Sequence, residues 1–559
     1  MLQPSSAISS ASTERAASPS SRLINDSEPH NREREDASPN KEDHPSFSFP
    51  GRDVEKLELA TADNSTLHES ESDLLNTPSD VTPGTDSKLE EPIIVQWEGP
   101  QDPNNPRNWS KKKRWTVTLV VSLFTFISPV ASSISSPTLP QISNDLNLPP
   151  GSIFENMLLS IFVLAYALGP LFWGPLSELC GRLVILQVSN IWFLIFNSLC
   201  SVAKTPAQML VFRFLAGFGG AAPQSIGGGV VGDLWSPEER GMAMSLYSLA
   251  PLVGPSTGPL VGGWIALKSN WQWVFWSVSI ADGLLQVAGF VFLRETYGPQ
   301  ILKRKAHSLR TSTGKNYRSA FEDPNRHWTT YMARGMFKPI KFLFTEPIVQ
   351  VFALYMAVLY GVLYLSLTTF VQVFTDQYGE NSGIAGIHYL AIAVGSTVGG
   401  QVGARVLNTI YRRLKARNGG VGTPEMRLPL LMVSATTLPI GLLIYGWTAN
   451  ARLFWLAPDL GVFIYSIGIG GNWTCIQTYL VDNYALHAAS AIAGVVSFRA
   501  LAGFGFPLFA DQMYGKLGDG WGNSILALIC LVIGCPAPFI FYRYGPQLRG
   551  WSKATSVEQ

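Results

Sequence analysis

Cysteine is scarce in this chain, five among 559 residues. The five (Cys180, Cys200, Cys475, Cys530 and Cys535) are odd in number and show neither disulfide nor metal-ligand spacing. That excludes a disulfide framework and a thiolate metal centre, and leaves them as small apolar packing residues. Charge is also thin, 14% of residues against 47% hydrophobic, and the balance of 41 Lys+Arg to 40 Asp+Glu offers no basic field for nucleic acid. The seven histidines form no HExxH, and no lysine closes a glycine-rich phosphate loop. Without any paired catalytic constellation, neither an enzyme, nor ATP-driven work, nor a cofactor is expected. Met1–Ser21 has no apolar core of the kind a cleavable signal carries.

Long apolar runs are what the sequence does have. From Trp115 onward, stretches of roughly 20 apolar residues follow one another, the length that crosses about 30 Å of hydrocarbon. Twelve are expected, at 115–136, 155–176, 183–203, 208–232, 242–266, 272–293, 346–374, 384–407, 427–447, 453–478, 489–513 and 522–542. A water-soluble helix keeps a polar face, whereas Val117–Ile127 and Leu526–Ile533 are apolar all round. The fold class expected is therefore an all-α membrane protein of twelve transmembrane helices in two six-helix halves. Its domains would be a disordered cytoplasmic tail (1–92), an N-terminal half (93–293), a cytoplasmic central loop (294–345), a C-terminal half (346–543) and a short cytoplasmic tail (544–559).

Orientation follows from the cations. Eleven lysines and arginines lie in 294–341, and Arg182, Arg240, Arg405, Arg412, Arg413, Lys415, Arg417 and Arg427 fall in or beside the other even-numbered loops. The odd-numbered loops hold only Lys204, Lys268, Arg452 and Lys516. Cytoplasmic loops carry the excess of Lys and Arg, so both termini are expected in the cytoplasm, with the first span as an uncleaved insertion signal. Residues 1–90 carry 18 acidic and 8 basic residues and few apolar ones, a composition that cannot bury enough surface to fold.

Three motifs carry the chemistry. Gly174-Pro-Leu-Ser-Glu-Leu-Cys-Gly-Arg182 joins the second and third spans. Gly174 and Gly181 permit a tight turn, and Glu178 with Arg182 offers a charge pair. Arg213 stands inside the fourth span. An unpaired cation there costs about 2.5–3.5 kcal/mol on insertion scales, so it should face the bundle interior or a wet cavity; the alternative is snorkelling to the outer interface. In the fifth span, Pro251-Leu-Val-Gly254-Pro-Ser-Thr-Gly258-Pro259-Leu-Val-Gly262-Gly263 repeats glycine every fourth residue, which puts Gly254, Gly258 and Gly262 on one face open to a close helix neighbour.

These motifs resemble signatures of the major facilitator superfamily. The first is similar to its loop G-x-L-(S/A)-(D/E)-x-x-G-R, with Leu179 and Leu183 where basic residues are frequent. The resemblance implies a conformational switch of Gly174, Glu178, Gly181 and Arg182 with Asp233 at the inner end of the fourth span. Arg213 matches a fourth-helix arginine with a role in proton transfer. Gly254, Gly258, Pro259, Gly262 and Gly263 resemble the fifth-helix antiporter signature, implying a seal between the halves against proton leak. Asp102–Ser110, Asn270–Trp276, Arg294–Tyr297, Leu302–Ala306, Phe344–Pro347, Tyr360–Tyr364, Tyr479–Asp482 and Phe506–Tyr514 narrow the likeness to fungal drug:proton antiporters with twelve spanners, over residues 98–545.

The resemblance implies a proton-coupled exporter of amphipathic organic compounds (drugs, toxins or secondary metabolites) at the plasma membrane, or else the vacuolar membrane. Its partners would be a small organic substrate, protons and the lipid bilayer, with the chain a monomer. Coupling needs a titrating group in the membrane; the candidates are Arg213, Asp282 and Asp459, with Glu155 a weaker fourth. Gln224, Tyr360, Tyr364, Gln477 and Arg499 are candidates for a cavity offering aromatic surface and a few hydrogen bonds. The alternatives are a polyamine or organic-acid transporter of the same fold, or a non-transporting nutrient sensor.

Overall fold

The computed structural model describes residues 93–149, 152–236, 239–321, 327–484 and 487–551; the tail expected over 1–92 lies outside them. Among the described residues, twelve helices have 19 residues or more, and each coincides with one of the apolar stretches. The first to sixth are Lys111–Ser133, Ile153–Cys180, Arg182–Cys200, Pro206–Leu234, Arg240–Lys268 and Gln272–Phe292. The seventh to twelfth are Pro347–Gln372, Tyr389–Arg417, Leu428–Asn450, Leu456–Asn483, Ala488–Leu508 and Ala510–Gly534. The last differs from expectation: it starts near 510 and breaks at Gly518, whose φ of 71° is open to glycine but strained for other residues.

By length and hydropathy alone, nine helical segments among the described residues qualify as membrane-crossing, and the fourth, fifth and tenth do not. The reason is compositional. Those three are rich in glycine and small polar residues, which suit contact with other helices at close approach rather than contact with lipid. Lipid-facing character sits elsewhere, on Leu284, Val287 and Phe290 of the sixth span and Leu528 and Val532 of the twelfth, all more than half exposed. An apolar surface of this kind belongs in hydrocarbon, since in water it would drive association.

Helix pairing repeats from one half to the other. The first span packs on the fifth, the second on the fourth and the third on the fourth; six helices on, the seventh packs on the eleventh, the eighth on the tenth and the ninth on the tenth. Between the halves the second span meets the eleventh and the fifth meets the eighth, a pair of contacts that the same shift of six converts into each other. Two similar six-helix units thus face one another about an approximate two-fold.

The segment linking the halves is structured. It forms helices Gly298–Thr313 and Trp328–Thr345 and a strand, Tyr317–Ser319, that pairs in parallel with Ile93–Val95 ahead of the first span. Val95, Leu302 and Ala306 make a small core beneath this pairing. Asp102 closes the turn that follows, accepting from the Glu98 and Asn104 N–H groups at 3.0 and 2.8 Å, with Lys305 at 3.8 Å. The Glu98 N–H, first among these, holds its carboxyl below the usual range despite burial. The turn is therefore secured above that range and released only in strong acid. At the other end, a helix Pro536–Trp551 runs into the region expected to be the short C-terminal tail.

Candidate functional site

On the side bearing the linking segment, Gly181 turns the chain from the second span into the third with φ 102°, which places Arg182 at the first position of the new helix. Its guanidinium Nε lies 3.4 Å from Asp233 at the end of the fourth span, and Nη1 donates to Ser177 at 2.9 Å. The expected Glu178–Arg182 pair is not formed. Glu178 accepts instead from the Tyr331 hydroxyl on the second linking helix. Glu295 takes its place, accepting the Arg182 backbone N–H at 3.0 Å. Helical geometry explains the exchange: Glu178 projects from the helix before the turn and Arg182 opens the helix after it. Gly174 lies within the second-span helix with open space around it, so the tight turn expected of both glycines is made at Gly181 alone.

Arg213 points into the bundle and is 1% exposed. It donates to the carbonyls of Leu158, Ala131 and Ser132 at 3.0, 2.8 and 3.0 Å, with the Phe162 ring 4.9 Å away. Ala131 and Ser132 lie in the last turn of the first span, where carbonyls run out of helical partners. The guanidinium supplies those partners and ties the first, second and fourth spans together.

The fifth-span glycines divide by face. A side chain at Gly254 would meet Pro129, at Gly258 the Val130 carbonyl at 2.6 Å, and at Gly262 the Ile134 carbonyl. All three therefore serve the packing of the first span on the fifth, within one half. Contact with the other half is made by Gly263, where a Cβ would lie 2.3 Å from the Ser382 carbonyl, and by the Pro259 carbonyl beside Gly386.

Between the halves lies a small cavity of about 10 Å³ lined by Tyr166, Pro170, Ala221, Gln224, Tyr360, Val496, Arg499 and Ala500. Arg499, 4% exposed, stacks over Trp473 at 3.8 Å and Tyr360 at 4.5 Å. Tyr364 lies against Tyr360 with ring centroids 4.9 Å apart and bonds Ser132 across the halves at 3.0 Å. Both approaches to the cavity are closed. On one side Asn156 donates to Asp511 at 2.8 Å and Ser136 to the Leu367 carbonyl at 2.6 Å; on the other Ser245 bonds Gln401 and Glu178 bonds Tyr331. At this size the space has room for about one water, far below the 300–1,000 Å³ of pockets that hold drug-sized ligands.

Of the predicted cavity residues, Gln224, Tyr360 and Arg499 line this space and Tyr364 supports it, whereas half-buried Gln477 is not among the lining residues. Asp282 is also elsewhere. It is fully buried between the third and sixth spans, accepting from Asn190 at 3.0 Å in a cluster with Gln286 and Gln187. Asp459 lies at the start of the tenth span, 2.6 Å from His388 Nδ1, whose Nε2 is 2.9 Å from Glu380. Glu155 is buried in the first turn of the second span. Sequence reading gave no site role to Tyr331, to Glu295 within Arg294–Tyr297, or to a second ion pair: Arg427, just ahead of the ninth span, binds Asp482 at 2.8 Å and Asn408 at 2.9 Å. Arg427–Asp482 spans 55 residues where Arg182–Asp233 spans 51. Laying one half of the sequence on the other would have revealed it.

Comparison with known proteins agrees with this geometry. The family model described as Major Facilitator Superfamily matches residues 121–507. The chain is 44% identical over 475 residues to "Efflux pump vrtL" of Penicillium aethiopicum, covering 85% of this chain and 94% of that one. It is 40% identical over 492 residues to "Efflux pump radE" of Floropilus chiversii, covering 87% and 91%. Among solved structures, the fold is similar to the inward open xylose transporter XylE from E. coli, with a TM-score of 0.57 at 14% identity over 77% of this chain and 96% of that one.

Proposed function

The chain belongs to the major facilitator superfamily, a family of membrane transporters rather than enzymes, and from that premise we propose that it is a proton-coupled antiporter exporting amphipathic organic compounds from the cytosol. The observation that carries this reading is the central cavity between two six-helix halves, where Tyr166, Tyr360 and Arg499 present aromatic surface and a guanidinium, with Trp473 stacked behind the guanidinium. Relatives named as efflux pumps support export, and the Gly-Pro repeat of the fifth span supports antiport. The two halves (93–293 and 346–543) rock about the cavity, with Arg182–Asp233 and Arg427–Asp482 as matching ion pairs, one within each half, on the basic side. The basic loops support a cytoplasmic position for that side, both termini and the linking segment, and the reading takes the protein as a plasma-membrane monomer of twelve spans. A cavity lining with a guanidinium and no carboxylate disfavours polyamines.

The test is growth of a pump-deleted yeast expressing the chain at its surface, across azoles, polyamines, mycotoxins and organic acids. Expected is resistance to particular compounds, lost on collapsing the proton gradient and weakened by Asp233→Asn. Unchanged sensitivity to every class, or heightened sensitivity from uptake, would overturn export.

A further inference from the structure

Arg499 stands at the cavity with its hydrogen bonding unfinished. Its Nε and Nη1 are buried without a hydrogen-bond partner, and so is the side-chain amide nitrogen of Gln224 on the facing half. The titratable side chains around the guanidinium are Tyr360, Tyr364 and Tyr166, so no carboxylate neutralises it. Trp473 and Tyr360 cover its faces, leaving its edges, the directions in which guanidinium N–H groups donate, for something else. Buried charges in proteins are paired or hydrogen-bonded. Here both the charge and the donors are left over, and they meet at the cavity.

We propose that this is an anion subsite, in which Arg499 takes the carboxylate or phenolate oxygens of the exported compound while Trp473 and Tyr360 pack on its ring system and Gln224 donates from the opposite half. The substrates are accordingly monoanionic amphiphiles. Calling the ligand a substrate rests on the export reading above; the anion site itself does not. A ligand bridging Arg499 and Gln224 also contacts both halves at once, in a form of the bundle more open at the cavity than this one. Loading cancels the buried charge, and an amine would meet a like charge at Arg499.

The test uses purified full-length protein with three probes of matched shape: 1-naphthoate, 1-naphthamide and 1-naphthylmethylammonium. Binding is read by quenching of tryptophan fluorescence and by the shift in thermal unfolding. Naphthoate is expected to bind at least about tenfold more tightly than the amide, as a charge-assisted pair should, and the ammonium least. In Arg499→Gln the preference for naphthoate over naphthamide collapses, while Arg499→Lys keeps part of it. If Arg499→Gln does not fold, the ranking of the three probes on the wild-type protein decides. Absence of naphthoate binding, equal binding of amide or ammonium, or an unchanged preference in Arg499→Gln would each overturn the proposal. Failure of the export reading looks different: naphthoate selectivity without drug resistance in cells removes export and leaves the anion site, and resistance without charge selectivity does the reverse.

Discussion

Arg213 and Arg499 are both buried arginines in membrane helices, and they do opposite work. Arg213 has its donors on three carbonyls at the unwound end of the first span and the second span; Arg499 has two nitrogens with no partner. The first is a clamp and the second a socket. Removing the clamp leaves buried carbonyls unsatisfied, so Arg213→Met is expected to destabilise the protein by roughly 2–4 kcal/mol, seen as a clear fall in the unfolding temperature in detergent. Arg499→Met breaks no hydrogen bond and deletes an unpaired buried charge, and should not lower it. Equal falls for the two variants would show that the difference in partners is without energetic weight. The proton-transfer role implied for Arg213 by resemblance has no acid at hand, since the guanidinium bonds only to carbonyls and Ser135.

At the scale of the helix, the fifth span has two working faces set by a glycine pattern one residue out of step. Gly258 lies against the first span and Gly263 against the start of the eighth-span region at Ser382. Valine at 258 would drive its Cβ to 2.6 Å from a backbone carbonyl inside one half, a clash that packed helices cannot absorb cheaply. Gly258→Val should therefore give little folded protein by size-exclusion chromatography of the fluorescently tagged chain. Gly263→Val meets its obstacle across the two halves, which the proposed mechanism moves relative to one another, and should fold while losing transport because this approach of the halves is blocked. If both fail to fold, or both transport, the division of faces is wrong. From the sequence the four-residue glycine period was visible; which glycines met the first span and which met the other half was not. A period names a face but not its neighbour.

For the whole molecule, closure on both sides of the cavity is the feature with a mechanical consequence. Asn156 and Asp511 meet at 2.8 Å on the side away from the linking segment, in different halves. Cysteines at these two positions, in a chain whose five native cysteines are replaced, should be joined by a short bis-maleimide, and joining them should stop efflux of any exported compound. Cross-linking without loss of efflux would mean that this side never opens during transport.

Local composition was enough to place the membrane helices, to read the basic side and to find the Gly181–Arg182 turn, because the cost of putting a residue in hydrocarbon, or in a tight turn, depends on that residue and its near neighbours. It did not place the partners. Glu178 was paired with Arg182 on proximity in the chain, yet the fold carries it to Tyr331, 153 residues away, and brings Glu295 to the turn from 113 residues on. Asp282 read as a coupling acid and lies instead between two peripheral helices beside Asn190. The cavity is the strongest case. Gln224, Tyr360 and Arg499 belong to three helices in two halves, and whether an arginine in such a helix is satisfied or left open is decided by which carbonyls and carboxylates the packing brings within 3 Å of it, a property of the assembled bundle and of no stretch of chain alone.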